Sequence, residues 1–402
     1  MTAISTRFVW MLFAASLCAL GVHAAVGLDA GWAPLLRIDG LTLIMATVVT
    51  FVSGIVHSYA QRYMAGSRHE ARFYSRLLTL TLVVLLLAAA NHLALFAACW
   101  TLMGWLLADL IGLIRGWPQA QAAAQRARWS FLVGSALLAA AMALLGVQTG
   151  AATISEVLPR VDTLSTPTLA GAATLLVGAA MIQSALIPFH GWLLSSMNAP
   201  TPVSAFMHAG LVNAGGLLLA RFATVVAALP AVMLGIVAVG ALSALLAQAW
   251  MLIQADVKRQ LGCSTVAQMG FMVLQCGLGF FAAAIAHLIL HGFYKAYLFL
   301  SSGSVVTAKS PPQTSSSAGI DTLAIALLTG SAGGVLFAWL TGKSIAVPNG
   351  GLLLTLVVVL AVLHAGTTVL RTAALGPLAR AVALPLVVLP AIALYAGAYN
   401  GI

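Results

Sequence analysis

His287, His291 and Lys295 lie inside an otherwise apolar run over roughly residues 280–303. Their spacing is i, i+4, i+8. On a helix this puts all three on one face, about 6 Å apart along the axis. A run of about 20 apolar residues crosses a bilayer. An ionisable group at the bilayer centre costs about 2.5–3.5 kcal/mol on insertion scales, so such groups face a watery or protein-lined interior. Histidine changes charge near neutral pH, and a lysine held out of water can exchange its proton as its neighbours move. A row of these three groups has the chemistry of a proton path. His287 and His291 also have the i, i+4 spacing of a zinc pair. No third ligand or carboxylate base stands nearby, and the cationic Lys295 opposes a metal, so neither a metal nor a cofactor is expected.

The elements that must hold this row are helices in a membrane. Of 402 residues, 62% are hydrophobic and 6% charged, against about 25% charged in a soluble domain. No soluble domain is visible. The polar stretches near 61–76, 114–129 and 306–319 read as loops. The run 8–28 is too long for a cleaved signal peptide and reads as the first span. Cys18, Cys99, Cys263 and Cys276 are scattered through apolar runs with no metal or disulfide spacing. The net charge of +10 resides in short loops and reports topology, not nucleic-acid binding.

Thirteen spans are expected, at 8–28, 40–61, 76–91, 93–113, 129–147, 168–189, 201–223, 231–254, 259–278, 280–303, 320–341, 350–370 and 377–397. The seams at 91–93 and 278–280 are the least defined. One side collects Arg7, Arg62, Arg68, Arg72, Arg76, Arg115, Arg126, Arg128, Lys258, Arg259, Lys309, Arg371 and Arg380. The other collects Arg37, Arg160, Arg221 and Lys343. The positive-inside rule then places the N-terminus in the cytoplasm and the C-terminus outside. Pro188, Pro200 and Pro202, and the glycines between Gly330 and Gly334, mark either interrupted helices or, respectively, loop punctuation and close packing.

Few acids are available to such a path. Asp29, Asp39, Glu70, Glu156, Asp162 and Asp321 fall in loops or at span ends. Asp109 alone lies within a span, only about 6 Å from its end. Asp256 sits two residues before Lys258, as a local ion pair, a gating pair or a helix cap. His208 lies within a span among small residues, with Gln183 and Asn213 adding polarity nearby, and His190 follows Pro188-Phe189 at a break. His23, His57, His92 and His364 read as packing residues.

Four blocks carry a resemblance. They are Asp39-Gly40-Leu41-Thr42 running to Tyr63-Met64; Pro188-Phe189-His190-Gly191-Trp192-Leu193 with Ala199-Pro200-Thr201-Pro202-Val203-Ser204-Ala205 and His208-Ala209; Asp256-Val257-Lys258-Arg259-Gln260-Leu261 with Ser264-Thr265 and Gln268-Met269-Gly270; and His287 to Lys295, ending at Phe299-Leu300-Ser301-Ser302-Gly303-Ser304. Over residues 39–305 the chain resembles the antiporter-like, proton-translocating subunits of respiratory complex I and the Mrp antiporters. The last hundred residues match weakly. The resemblance implies an all-α polytopic membrane fold of two inverted five-helix repeats with broken helices. The repeats would span about 93–254 and 257–397, after N-terminal helices over 1–92, in one transmembrane domain. It also carries the family's proton-path histidine onto His208, and its lysines onto Lys295 and, loosely, Lys343.

Two positions depart from the pattern. The family glutamate of a Trp-Glu pair falls on Thr101, and a lysine before Ser-Ala falls on Gln183, so the first half-channel lacks its charged pair. Asp109, two turns after Thr101, replaces that acid only in part. Met197-Asn198-Ala199-Pro200-Thr201-Pro202 and His208-Ala209-Gly210-Leu211-Val212-Asn213 are similar to the DabB family, the membrane subunits of DAB inorganic-carbon complexes. There the resemblance implies a DabA-like cytoplasmic zinc partner, similar to a β-carbonic anhydrase, in which proton or Na+ flux drives CO2 hydration to bicarbonate. The chain itself would be no enzyme and would lie in the cell inner membrane. The alternatives are an antiporter-like subunit of a complex-I-like oxidoreductase or Na+/H+ antiporter, and a membrane anchor without ion flux.

Overall fold

The computed structural model describes residues 2–27, 30–32, 34–303, 320–345, 347, 350–372 and 377–400. Asp29, Ser304 and the polar loop 306–319 with Lys309 lie outside these residues. The chain forms two compact units, residues 1–305 and 306–402.

In the first unit α1 (Thr2–Val26) leads into a three-residue antiparallel hairpin, β1 (Ala30–Trp32) and β2 (Leu36–Ile38). Asp39 then starts α2 (Gly40–Tyr63), its carboxylate accepting the Thr42 amide at 2.9 Å, which satisfies one of the amides that every helix start leaves open. α3 (Glu70–Ala89) and α4 (Leu93–Ile111) are separated by Asn91 and by His92, whose ring Nδ1 accepts the Ala94 amide at 3.2 Å. His92 is thus a helix cap, and the first doubtful seam is a real boundary. α5 (Pro118–Thr149) follows, then the short α6 (Ile154–Val157), α7 (Thr166–Gln183) and α8 (Gly191–Ser195). α9 (Thr201–Ala209), α10 (Ala214–Arg221), α11 (Ala223–Ala227), α12 (Pro230–Leu252), α13 (Val257–Gly277) and α14 (Phe281–Ser301) complete the unit. Its core is one continuous apolar cluster running from α2 to α14.

The second unit holds α15 (Ile320–Leu340), α16 (Gly350–Thr372) and α17 (Pro377–Asn400). Each of the thirteen expected spans falls on helix. Among the described residues, ten helical segments are long and apolar enough to cross a membrane, α9 and α10 together counting as one. α13 is not one of them, because Gln260, Ser264, Thr265, Gln268 and Gln275 lower its hydropathy. The chain is an all-α polytopic membrane protein.

The interruption read at Pro188 begins five residues earlier, where α7 ends at Gln183. α7 ends in a Schellman motif, with the Ala185 amide on the Ile182 carbonyl at 3.2 Å and the Leu186 amide on the Met181 carbonyl at 2.9 Å. That motif needs a left-handed residue, usually glycine. Here Ala185 takes the position at φ 52°. The interruption read at Gly330–Gly334 is absent, because α15 runs unbroken. These glycines serve packing: a Cβ at Gly330 would lie 3.1 Å from the Val359 carbonyl of α16. A different break occurs at residues 210–213, where the span read as 201–223 divides into α9 and α10.

Candidate functional site

The turn between α13 and α14 sets the site. Gly279, at φ 81°, closes a second Schellman motif, with its own amide on the Cys276 carbonyl at 2.9 Å and the Phe280 amide on the Gln275 carbonyl at 2.8 Å. Glycine takes this left-handed conformation without steric cost. The turn folds α14 back on α13, and His287 comes to rest 5.5 Å from Phe271, ring to ring. On its other side α14 presses on α9. A Cβ at Gly292 would lie 2.6 Å from the Ala209 carbonyl, so only glycine permits this approach.

These two contacts gather the residues that the spacing singled out. His287 and His291 stack with ring centres 5.9 Å apart and planes at 18°. His291 and Lys295, one turn further along the same face of α14, are both buried. His208 and Lys295 have no solvent-exposed surface. His208 stacks on Phe299 at 4.2 Å, and its Nδ1 lies 3.0 Å from the Thr265 hydroxyl.

One hydrogen-bonded chain joins the two buried bases. The Thr265 hydroxyl donates to the Leu261 carbonyl at 2.9 Å, and Lys295 Nζ donates to the same carbonyl at 3.1 Å. A hydroxyl has one proton to give. Since that proton goes to Leu261, Thr265 accepts from His208, and His208 carries its proton on Nδ1. Its Nε2 is then the basic nitrogen, buried and without a hydrogen-bond partner among the described residues. Both ring nitrogens of His291 and Nε2 of His287 share that condition. Buried polar atoms are normally bonded, to protein or to ordered water. No described ion pair gives Lys295 a carboxylate. A buried cation without one is costly, so the charge on Lys295 is conditional on its neighbours. Imidazoles and a lysine amine are groups that can take up and release protons.

The other singled-out residues are bonded elsewhere. Asp109 is held by arginines: Arg72 at 2.5 Å, Arg76 at 2.8 Å and Arg128 at 4.0 Å. Thr101 is exposed, and its hydroxyl is spent on the Ala97 carbonyl one turn back, at 2.8 Å. Gln183 is buried and donates to the Leu211 carbonyl at 3.0 Å, beside the Ser184 hydroxyl on the Val212 carbonyl at 2.8 Å. Those are carbonyls of the 210–213 break, so the two interruptions are bonded to each other. Asp256 is a cap, accepting the Arg259 amide at 2.7 Å, while Lys258 Nζ reaches the Ala199 carbonyl at 3.3 Å. The Asp256–Lys258 pair therefore makes no salt bridge among the described contacts. Lys343, in the second unit, follows α15 and sits 4.9 Å over the Tyr399 ring, a cation–π contact. Of the cluster, Thr265 and Gly292 had no assigned role in the sequence.

A second polar centre lies at the start of α2. Asp39 accepts from Arg221 at 2.6 Å, and Arg221 also donates to the Ala88 carbonyl at 3.1 Å. Burial raises the Asp39 pKa, but the Arg221 charge and the Thr42 hydrogen bonds outweigh it and leave the carboxyl below its ordinary value.

Comparison with known proteins shows the family of the chain. Residues 90–370 match the family described as NADH:quinone oxidoreductase/Mrp antiporter, TM. Residues 32–74 match the N-terminus of NADH-ubiquinone oxidoreductase (complex I) chain 5. The chain is 40% identical over 282 residues to the probable inorganic carbon transporter subunit DabB1 of Halothiobacillus neapolitanus, covering 67% of this chain and 50% of that protein. It is 39% identical over 279 residues to NADH-quinone oxidoreductase subunit L of Escherichia coli, covering 68% and 45%. It thus spans about half the length of the curated relatives it matches. Its fold matches a chain of the Mrp complex from a Dietzia species with TM-score 0.68 and 25% identity, over 99% of this chain and 52% of that one. The chain belongs to the NADH:quinone oxidoreductase/Mrp antiporter transmembrane family.

Proposed function

We propose that this chain is the proton-conducting membrane subunit of an inorganic carbon uptake complex, and that proton entry through it drives CO2 hydration in a cytoplasmic, DabA-like zinc partner. The observation that carries the reading is the buried chain Lys295–Leu261–Thr265–His208, with His291 and His287 stacked on the same face of α14 as Lys295. Titratable bases gathered inside an apolar bundle mark proton routes; the Leu261 carbonyl, which accepts from both sides, positions Lys295 and Thr265 and carries no proton itself. The similarity to subunits named for inorganic carbon transport supports the substrate. On this reading the chain lies in the inner membrane with its N-terminus in the cytoplasm, residues 93–254 and 257–397 form the two repeats, and catalysis belongs to the partner.

Growth rescue tests it. The chain is expressed with and without a candidate zinc partner in a carbonic-anhydrase-deficient bacterium in ambient air. Rescue that requires both chains and collapses with an uncoupler is the expected result. No rescue despite good expression of both defeats the reading. The similarity to subunit L and to the Mrp complex supports a second one. Under it the same cluster relays protons in an oxidoreductase or antiporter, and uncoupler-sensitive flux appears without the zinc protein.

A further inference from the structure

α5 is longer than a membrane requires. Its 32 residues extend about 48 Å, against a hydrocarbon core of about 30 Å. The excess is at its N-terminal end. Residues 118–128 are rich in Gln, Ala and Arg, and the exposed Trp129 follows them, as an aromatic residue at a membrane surface would. The inner side of this overhang is fixed. Ala120, Ala123, Ala124 and Ala127 are buried, and the Gln121 amide donates to the Gly112 and Ile114 carbonyls at 2.9 and 3.1 Å. Its outer side, with Ala122, Gln125 and Arg126, is exposed.

At the foot of the overhang the charge is unbalanced. Arg72, Arg76 and Arg128 converge on the single carboxylate of Asp109. Their side chains are 27%, 36% and 45% exposed, against 12% for Asp109. Three guanidiniums on one acid leave donor edges facing outward, and the fork of a guanidinium matches a carboxylate.

We infer that the α5 overhang and the arginines around Asp109 form the docking surface for an acidic face of a soluble protein. The inference rests on the carbon-uptake reading, in which that protein is the zinc partner. A protein fits better than a lipid headgroup because the overhang stands about 16 Å, eleven residues at 1.5 Å each, beyond the apolar part of α5.

The test places a photo-cross-linking residue at Ala122 of the full chain, in cells that also make the zinc protein. The expected result is an Ala122 adduct with that protein, reduced about tenfold by Arg126→Glu and again in membranes washed at about 500 mM salt, where surface charges are screened. Adducts with phospholipid alone, or a protein adduct insensitive to both changes, overturn the surface. Rescue of growth without the adduct also overturns it, and leaves the carbon-uptake reading standing. Failed rescue with a charge-sensitive adduct sinks that reading and keeps the surface.

Discussion

Lys295 and Thr265 share one acceptor, the Leu261 carbonyl, at 3.1 and 2.9 Å. Through that oxygen a lysine on α14 and a hydroxyl on α13 act on the same point, and the hydroxyl fixes the tautomer of His208 on α9.

Replacing Lys295 tests the relay. Lys295→Ala is expected to cut proton flux into vesicles by at least about a hundredfold, the lower end for loss of a positioned proton-transfer group. Lys295→Arg is expected to fail as well, because a guanidinium does not give up its proton. Dye-reported acidification at equal protein loading reads both. Undiminished flux in Lys295→Ala would falsify the role.

Thr265→Val removes the hydroxyl and keeps the shape. His208 Nδ1 then has no acceptor, at a cost of about 1–3 kcal/mol. The expected result is a lower melting midpoint in detergent together with slowed flux. Thr265→Ser is expected to restore both.

Gly292→Ala drives a methyl into the Ala209 carbonyl. Overpacking of this kind costs about 1–3 kcal/mol, and here it pushes α14, with His291 and Lys295, away from α9, with His208. Gly235 is the control, since a Cβ there meets nothing within 4 Å. Thermal melting is expected to fall for Gly292→Ala and to hold or rise slightly for Gly235→Ala. Equal melting of the two variants would remove the contact from the account.

Asp39 gives a pH signature. Its folded pKa is depressed, so its contribution is present above the unfolded value of about 3.9 and is lost as pH falls through the lower, folded value. Melting midpoints are therefore expected to drop on acidification below about pH 4. Asp39→Asn is expected to flatten that slope and to lower the midpoint at neutral pH, where Arg221 loses its charged partner. An unchanged slope in Asp39→Asn counts against the pair.

The row His287, His291, Lys295 was legible in the sequence because a 3.6-residue period on an apolar run is unambiguous about shared faces. His208 was legible from its block of small residues. Thr265 was not, because a hydroxyl in a span signals nothing until its partner from another helix is known. Three glycines near 330 fit a break and a close contact equally well, and only the neighbouring α16 decides between them. The break at 210–213 was hidden because these residues include no proline and Leu211 and Val212 continue the apolar run. Asp109 looked like a candidate acid because its three arginines come from two other helices, α3 and α5.

Gln183 and Ser184 bond to the carbonyls of Leu211 and Val212. A broken helix is a joint, and two joints tied by a pair of bonds turn together. α7 and α10 are in this sense arms of one lever, with α9 and His208 attached just before its pivot. A tilt imposed on α7 would swing the ring of His208 against Phe299 and Thr265 without any change in the bases themselves.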